Sequence, residues 1–220
     1  MDGKMTFENR TEAGKELVLK LLDYKTERVV VLALPRGGVP VGYEIARVLK
    51  MPLDTLVARK IGAPSNPEFA VGAIAPGNVV ILDDVSIQFL GLKNGEIDKL
   101  IKEEMKEMDR RMVFYKSGEY RKNSPIETVI IVDDGLATGL SAQAAIESVK
   151  ATLKPRKIIF AAPICARETA DKLRGLANEV VCVGEVENLT AISLWYKKFD
   201  QTTDEEVINY LEKANKRSVI

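Results

Sequence analysis

The sequence predicts an α/β protein built on a doubly wound parallel sheet, and three observations carry that expectation. Short apolar strand-like runs alternate with helical patterns near both ends of the chain. Val129, Ile130, Ile131 and Val132 form a β-branched run that reads as a strand buried on both faces. Asp133 and Asp134 follow at its carboxyl end, where open α/β sheets place their ligands. At 220 residues the chain lies within the range of one domain, and 1–220 is read as such.

In chain order, 10–22 reads as an amphipathic helix with Ala13, Leu17, Val18 and Leu21 on one side. Residues 28–34 form a buried strand, 39–50 a helix and 53–59 a second strand. The rhythm then breaks, and 61–124 is read as an inserted hairpin-plus-helix segment. Within it, 69–75 and 78–82 flank Pro76-Gly77, a turn between antiparallel strands. Asn94 caps a charged helix running to Tyr115. Ile97, Leu100, Ile101, Met105, Met108 and Met112 make its apolar stripe, read as packing, and Glu107 pairs with Arg111 one turn on. The alternation resumes with strand 128–134, helix 140–153, strand 157–162, helix 167–177 and strand 179–183. A last helix spans 203–214, opened by a capping box of Thr203 and Glu206.

Composition narrows the function. Lys+Arg and Asp+Glu balance at 32 each, which does not mark the chain as a nucleic-acid or membrane-surface binder. No apolar run approaches the roughly 20 residues of a membrane span, and MDGKMTFENR is too polar for a signal peptide, so a cytoplasmic location is expected. Cys165 and Cys182 lack metal-site spacing and are expected to be buried thiols. The chain has no histidine, which excludes Ser-His-Asp and Cys-His hydrolases and HExxH metalloproteases within it. The GK at Gly14-Lys15 lacks the rest of a Walker pattern, so phosphoryl transfer is poorly served.

Three segments carry chemistry. After the paired carboxylates, Gly135 to Ser141 form a small-residue loop that opens into a helix, whose N-terminus suits a phosphate. Carboxylates beside a phosphate cradle point to a ligand bearing hydroxyls and phosphate, with an oxygen-liganded divalent cation. Pro35-Arg36-Gly37-Gly38 likewise joins a strand to a helix, and its glycines let backbone approach an anion. Arg59-Lys60 places two cations at the expected end of the next strand.

The stretch VIIVDDGLATGLSAQAA resembles the phosphoribosyl-pyrophosphate (PRPP) motif of type I phosphoribosyltransferases. FENRTEAGKEL, ALPRGGVPVG and RKIGAP extend the likeness to predicted phosphoribosyltransferases of unassigned acceptor. The departure from the wider family is Gly135, where most members carry an aliphatic residue; the same glycine occurs in the unassigned group. The resemblance implies a type I phosphoribosyltransferase fold, with 61–124 as an inserted lid or hood segment whose charged helix is a lid, a dimer surface or both, and transfer of 5-phosphoribosyl from PRPP to an acceptor such as a nucleobase. It implies that Asp133 and Asp134 face the ribose hydroxyls and hold Mg²⁺, directly or indirectly. Gly135, Ala137, Thr138, Gly139 and Ser141 would take the 5′-phosphate. Arg36, Gly37 and Gly38 would take the pyrophosphate, in a loop often containing a cis peptide bond without proline, and Arg59 and Lys60 would neutralise it as it leaves. Some purine enzymes of the family have an aspartate at the Ala137 position, so that base-facing role is missing here or supplied elsewhere.

For the acceptor, Trp195, Tyr196 and Phe199 either stack on a planar base or plug the edge of the sheet. Tyr120 and Arg121 are further candidates to reach the site. Expected partners are PRPP, a small-molecule acceptor and a second copy of the chain, a dimer, with neither nucleic acid nor membrane. A PRPP-sensing regulator that has kept the site and lost transfer is the competing reading.

Overall fold

A computed structural model describes residues 6–26, 28–118 and 126–217. Five parallel strands form the main sheet: β1 (Val29–Ala33), β2 (Leu53–Thr55), β6 (Thr128–Val132), β7 (Lys157–Ala166) and β8 (Glu179–Val186), in the order β2-β1-β6-β7-β8. Alternate residues serve opposite faces, as the pleat demands. Val31, Ala33, Ile130, Val132 and Ile159 face α1 (Arg10–Leu19), α2 (Gly38–Leu49) and α7 (Asp204–Arg217). Leu32, Val129, Ile131 and Phe160 face α5 (Leu140–Thr152) and α6 (Arg167–Arg174). The sheet is therefore doubly wound, with a core on each face.

Between β2 and β6 the chain builds a second, antiparallel sheet of β3 (Arg59–Ala63), β4 (Asn66–Ala75) and β5 (Val79–Leu82), then α3 (Asp84–Leu90) and α4 (Asn94–Tyr115). The turn at Pro76-Gly77 stands where expected, with Gly77 at φ +87. The α4 stripe is packing: Ile97 and Met108 are buried, and Leu100, Ile101, Met105 and Met112 pack against the core on the α7 side. Lys93, rather than Asn94, is the N-cap of α4, its N–H donating to Glu96. Neither β3 nor α3 was expected. β2 stops early because β1 ends at Ala33; the Leu56 N–H donates to the Ala33 carbonyl and the chain then leaves the sheet. Arg59 and Lys60 consequently open β3 of the second sheet instead of ending a strand of the first.

The cysteines correct a second expectation. Cys165 and Cys182 form a disulfide between β7 and β8. Sequence spacing did not reveal it, because the pairing depends on these two strands lying side by side. The final helix does open with the expected box: Thr203 Oγ1 accepts from the Glu206 N–H, and Glu206 accepts from the Thr203 N–H. Among the described residues no helix is long and apolar enough to cross a membrane.

Candidate functional site

The two glycine-bearing loops meet at the carboxyl ends of β1 and β6. Adjacent parallel strands end together there, and the Leu34 N–H donates to the Val132 carbonyl at 2.8 Å. The Pro35–Arg36 peptide bond is cis, as the resemblance implied. Gly38 lies so close to β6 that an added Cβ would stand 2.6 Å from the Val132 carbonyl oxygen. At Gly37 a Cβ would stand 2.0 Å from Asp134 Oδ2. Glycine is required at both positions by this close approach.

Asp134 is a junction of four segments. Its Oδ2 accepts from Arg10 Nε at 2.7 Å, its carbonyl accepts from the Tyr196 hydroxyl at 2.6 Å, and its N–H donates to Asp133 Oδ1 at 2.8 Å. Arg10 Nη1 donates to the Asp200 carbonyl, and the guanidinium lies 3.7 Å from the centre of the Phe199 ring. Burial, followed by the adjacent Asp134 charge, pushes the Asp133 carboxyl well above the ordinary carboxylate range, and Arg10 acts in the opposite direction. Burial beside the same carboxylates also raises the Tyr196 phenol, keeping it a donor.

The loop after the carboxylates is fastened to β7 and α6. Leu136 exchanges backbone hydrogen bonds with Ile164 and Ala166, and Thr169 Oγ1 donates to the Ala137 carbonyl. Gly139, at φ +81, makes the turn into α5. Thr138 is exposed just before that helix, and Ser141 is half-buried in its first turn. The departure at Gly135 has a local cause. A Cβ there would meet three side-chain carbons of Ile192 at 2.6–2.9 Å, so an isoleucine from another segment fills the space an aliphatic residue would need.

A cleft of about 500 Å³ opens over these groups, lined in part by Arg10, Arg36, Gly37, Arg111, Asp134 and Phe199. Arg36 Nη1 stands 3.7 Å from Asp204 Oδ1, which also accepts from the Tyr115 hydroxyl. Arg111 reaches the cleft from α4, its Nε donating to Glu107 at 2.8 Å. The cleft is thus lined by three arginines and the Asp134 carboxylate, a set of groups suited to a polyanion that also carries hydroxyls.

Other expected residues sit elsewhere. Arg59 pairs with Glu104 at 2.5 Å and Lys60 with Glu68 at 2.6 Å, and both line a separate cleft of about 590 Å³ against α4. Tyr196 is buried between Phe7 and Phe199, with its hydroxyl committed to Asp134, so it is not a stacking platform for a base. Trp195 is half-buried in the same apolar cluster, and its carbonyl accepts from the Phe7 N–H. Tyr120 and Arg121 lie outside the described residues. Arg10, Arg111, Asp204 and Ile192 were not foreseen as parts of the site. The available signal for Arg10 was its place directly after the capping Asn9, which fixes where the first helical side chain points.

Among the described residues no group of three or more His, Cys, Asp or Glu is gathered for a metal. Asp133 and Asp134 offer hard carboxylate oxygens, which fits Mg²⁺ held by one or two carboxylates with the other ligands drawn from water and a bound phosphate.

The family model of the phosphoribosyl transferase domain matches residues 7–87. A Mycobacterium tuberculosis protein provisionally named a phosphoribosyl transferase is 37% identical over 210 residues, 96% of this chain and 47% of that protein. The chain spans about half the length of the curated relatives it matches. The crystal structure of TT1426 from Thermus thermophilus is 34% identical with a TM-score of 0.72, covering 95% of this chain and 99% of that one. A hypothetical protein from Neisseria gonorrhoeae, 10% identical with a TM-score of 0.50 over 94% of each chain, shares the fold alone.

Proposed function

The chain belongs to the phosphoribosyl transferase family, and from that premise we propose that it transfers the 5-phosphoribosyl group of PRPP to a nucleophilic acceptor, releasing pyrophosphate. The observation that carries this reading is the convergence of the Arg36–Gly38 loop on Asp133 and Asp134, with Gly37 against the Asp134 carboxylate.

In this mechanism an acceptor nucleophile, such as a nucleobase nitrogen, forms the bond to ribose C1′ as the bond to the diphosphate oxygen breaks. Asp133 and Asp134 hold the ribose hydroxyls and favour the positive charge that develops on the sugar. Thr138, Ser141 and the N-terminal N–H groups of α5 fix the 5′-phosphate. Arg36 takes the departing diphosphate, for which Gly37 and Gly38 leave room. Mg²⁺, when bound beside Asp133 and Asp134, would supply further neutralisation of the diphosphate. Arg59 and Lys60 serve in this reading only through the hood, since they line the neighbouring cleft.

The test is pyrophosphate release from PRPP and Mg²⁺ across a panel of nucleobases and other nitrogen nucleophiles. The reading expects acceptor-dependent release by the wild type and none by Asp133→Asn/Asp134→Asn. Binding of PRPP without release for any acceptor would favour a sensor built on the same site.

A further inference from the structure

We infer that Arg10 is the positioning residue of the second carboxylate, so that the segment before α1 is part of the sugar site. The inference rests on the proposed reading of the cleft and adds a residue outside both loops of that reading.

The chain invests several contacts in placing this one side chain. Phe7 pairs its backbone with Trp195 and Lys197, and the Glu8 carbonyl accepts from the Lys198 N–H. Asn9 then caps α1 by accepting from the Glu12 N–H at 3.0 Å, which makes Arg10 the first helical residue. Its guanidinium is clamped by Asp134 Oδ2, the Asp200 carbonyl and the Phe199 ring, and only 12% of the side chain is exposed. Two of its nitrogens are used in this way. The third, Nη2, has no hydrogen-bond partner among the described residues, on a side chain that lines the cleft.

Two consequences follow for a ligand. Asp134 is drawn toward Arg10, so the arginine sets the direction in which the carboxylate faces an incoming sugar. A hydroxyl entering this corner meets a carboxylate that accepts its proton and a guanidinium that donates to its oxygen. A diol is recognised from both sides by such a pair. A bare diphosphate bound at Arg36 draws little on Arg10, because Asp134 already takes its charge.

The test compares wild type, Arg10→Lys and Arg10→Gln by calorimetric titration of PRPP, ribose 5-phosphate and pyrophosphate, each with Mg²⁺. Lysine keeps the charge but not the fork that spans Asp134 and Asp200, and protects the fold where glutamine leaves Asp134 unpaired. Both variants are expected to lose at least tenfold for ribose 5-phosphate and PRPP, with pyrophosphate within twofold of wild type. Equal losses for all three ligands, or wild-type affinity for ribose 5-phosphate in a folded Arg10→Lys, would overturn the assignment. If the wild type binds neither PRPP nor ribose 5-phosphate, the proposed function fails instead, which separates the two claims.

Discussion

Gly37→Ala probes the meeting point of the two loops with a single methyl group. Gly37 has φ −63 and ψ −33, a conformation alanine adopts freely, so any effect is steric and not conformational. The new Cβ would stand 2.0 Å from Asp134 Oδ2 and 2.6 Å from its Cγ. A real contact of this kind needs at least 3.0 Å, so the carboxylate must move by 1 Å or more. That displacement is enough to break the 2.7 Å bond to Arg10. Losing a charge-assisted hydrogen bond costs about 1.5–3 kcal/mol, roughly 10- to 150-fold in affinity for a ligand that needs the pair intact. Crowding costs the fold about 1–3 kcal/mol, at about 2–4 °C of Tm per kcal/mol for a chain of this size. The assay is calorimetric titration of PRPP with Mg²⁺, beside a thermal melt. A folded Gly37→Ala protein with PRPP affinity within twofold of wild type would refute the reasoning, because the two loops would then not share one ligand.

Two further outcomes follow from the packing and the charges. Gly135→Ala should destabilise the fold by about 1–3 kcal/mol, since its Cβ meets Ile192. Adding Ile192→Ala should recover part of that loss, giving a coupling of about 0.5–3 kcal/mol in urea unfolding; strict additivity would contradict the shared space. Glu107 is held at a pKa of about 2, first by its hydrogen bond to Arg110 and also by Arg111, against an ordinary value of 4.5. A folded-state pKa below the unfolded one means the contribution is complete above about pH 4.5 and lost as pH falls toward 2. Solvent screening keeps it small, so the measurement is the difference in urea midpoint between wild type and Glu107→Gln from pH 5 to 2. That difference should shrink on acidification; a constant difference would remove the pair from the stability of α4.

What the sequence made legible was local. The strand, the paired carboxylates, the glycine-bearing loop and the helix of 128–152 are consecutive, so their order alone fixes their geometry at a sheet end. The same holds for Arg36–Gly38 and for the Thr203–Glu206 cap. What stayed hidden depends on distant segments meeting. Arg10 reaches Asp134 across 124 residues of sequence, and its role follows only once 7–9 is paired with 195–198. The disulfide needs β7 and β8 as neighbours, and the burial of Tyr196 needs Phe7 against it. Arg59 and Lys60 were misplaced because an uninterrupted run of 53–59 reads as one strand, whereas β1 provides no backbone beyond Ala33 for it to pair with.

The most direct test of the central claim is calorimetric titration of PRPP into the intact protein with and without Mg²⁺. The account predicts metal-dependent binding in the micromolar range, about 8 kcal/mol, abolished in Asp133→Asn/Asp134→Asn while the protein stays folded. No heat of binding at millimolar PRPP with Mg²⁺ would contradict it.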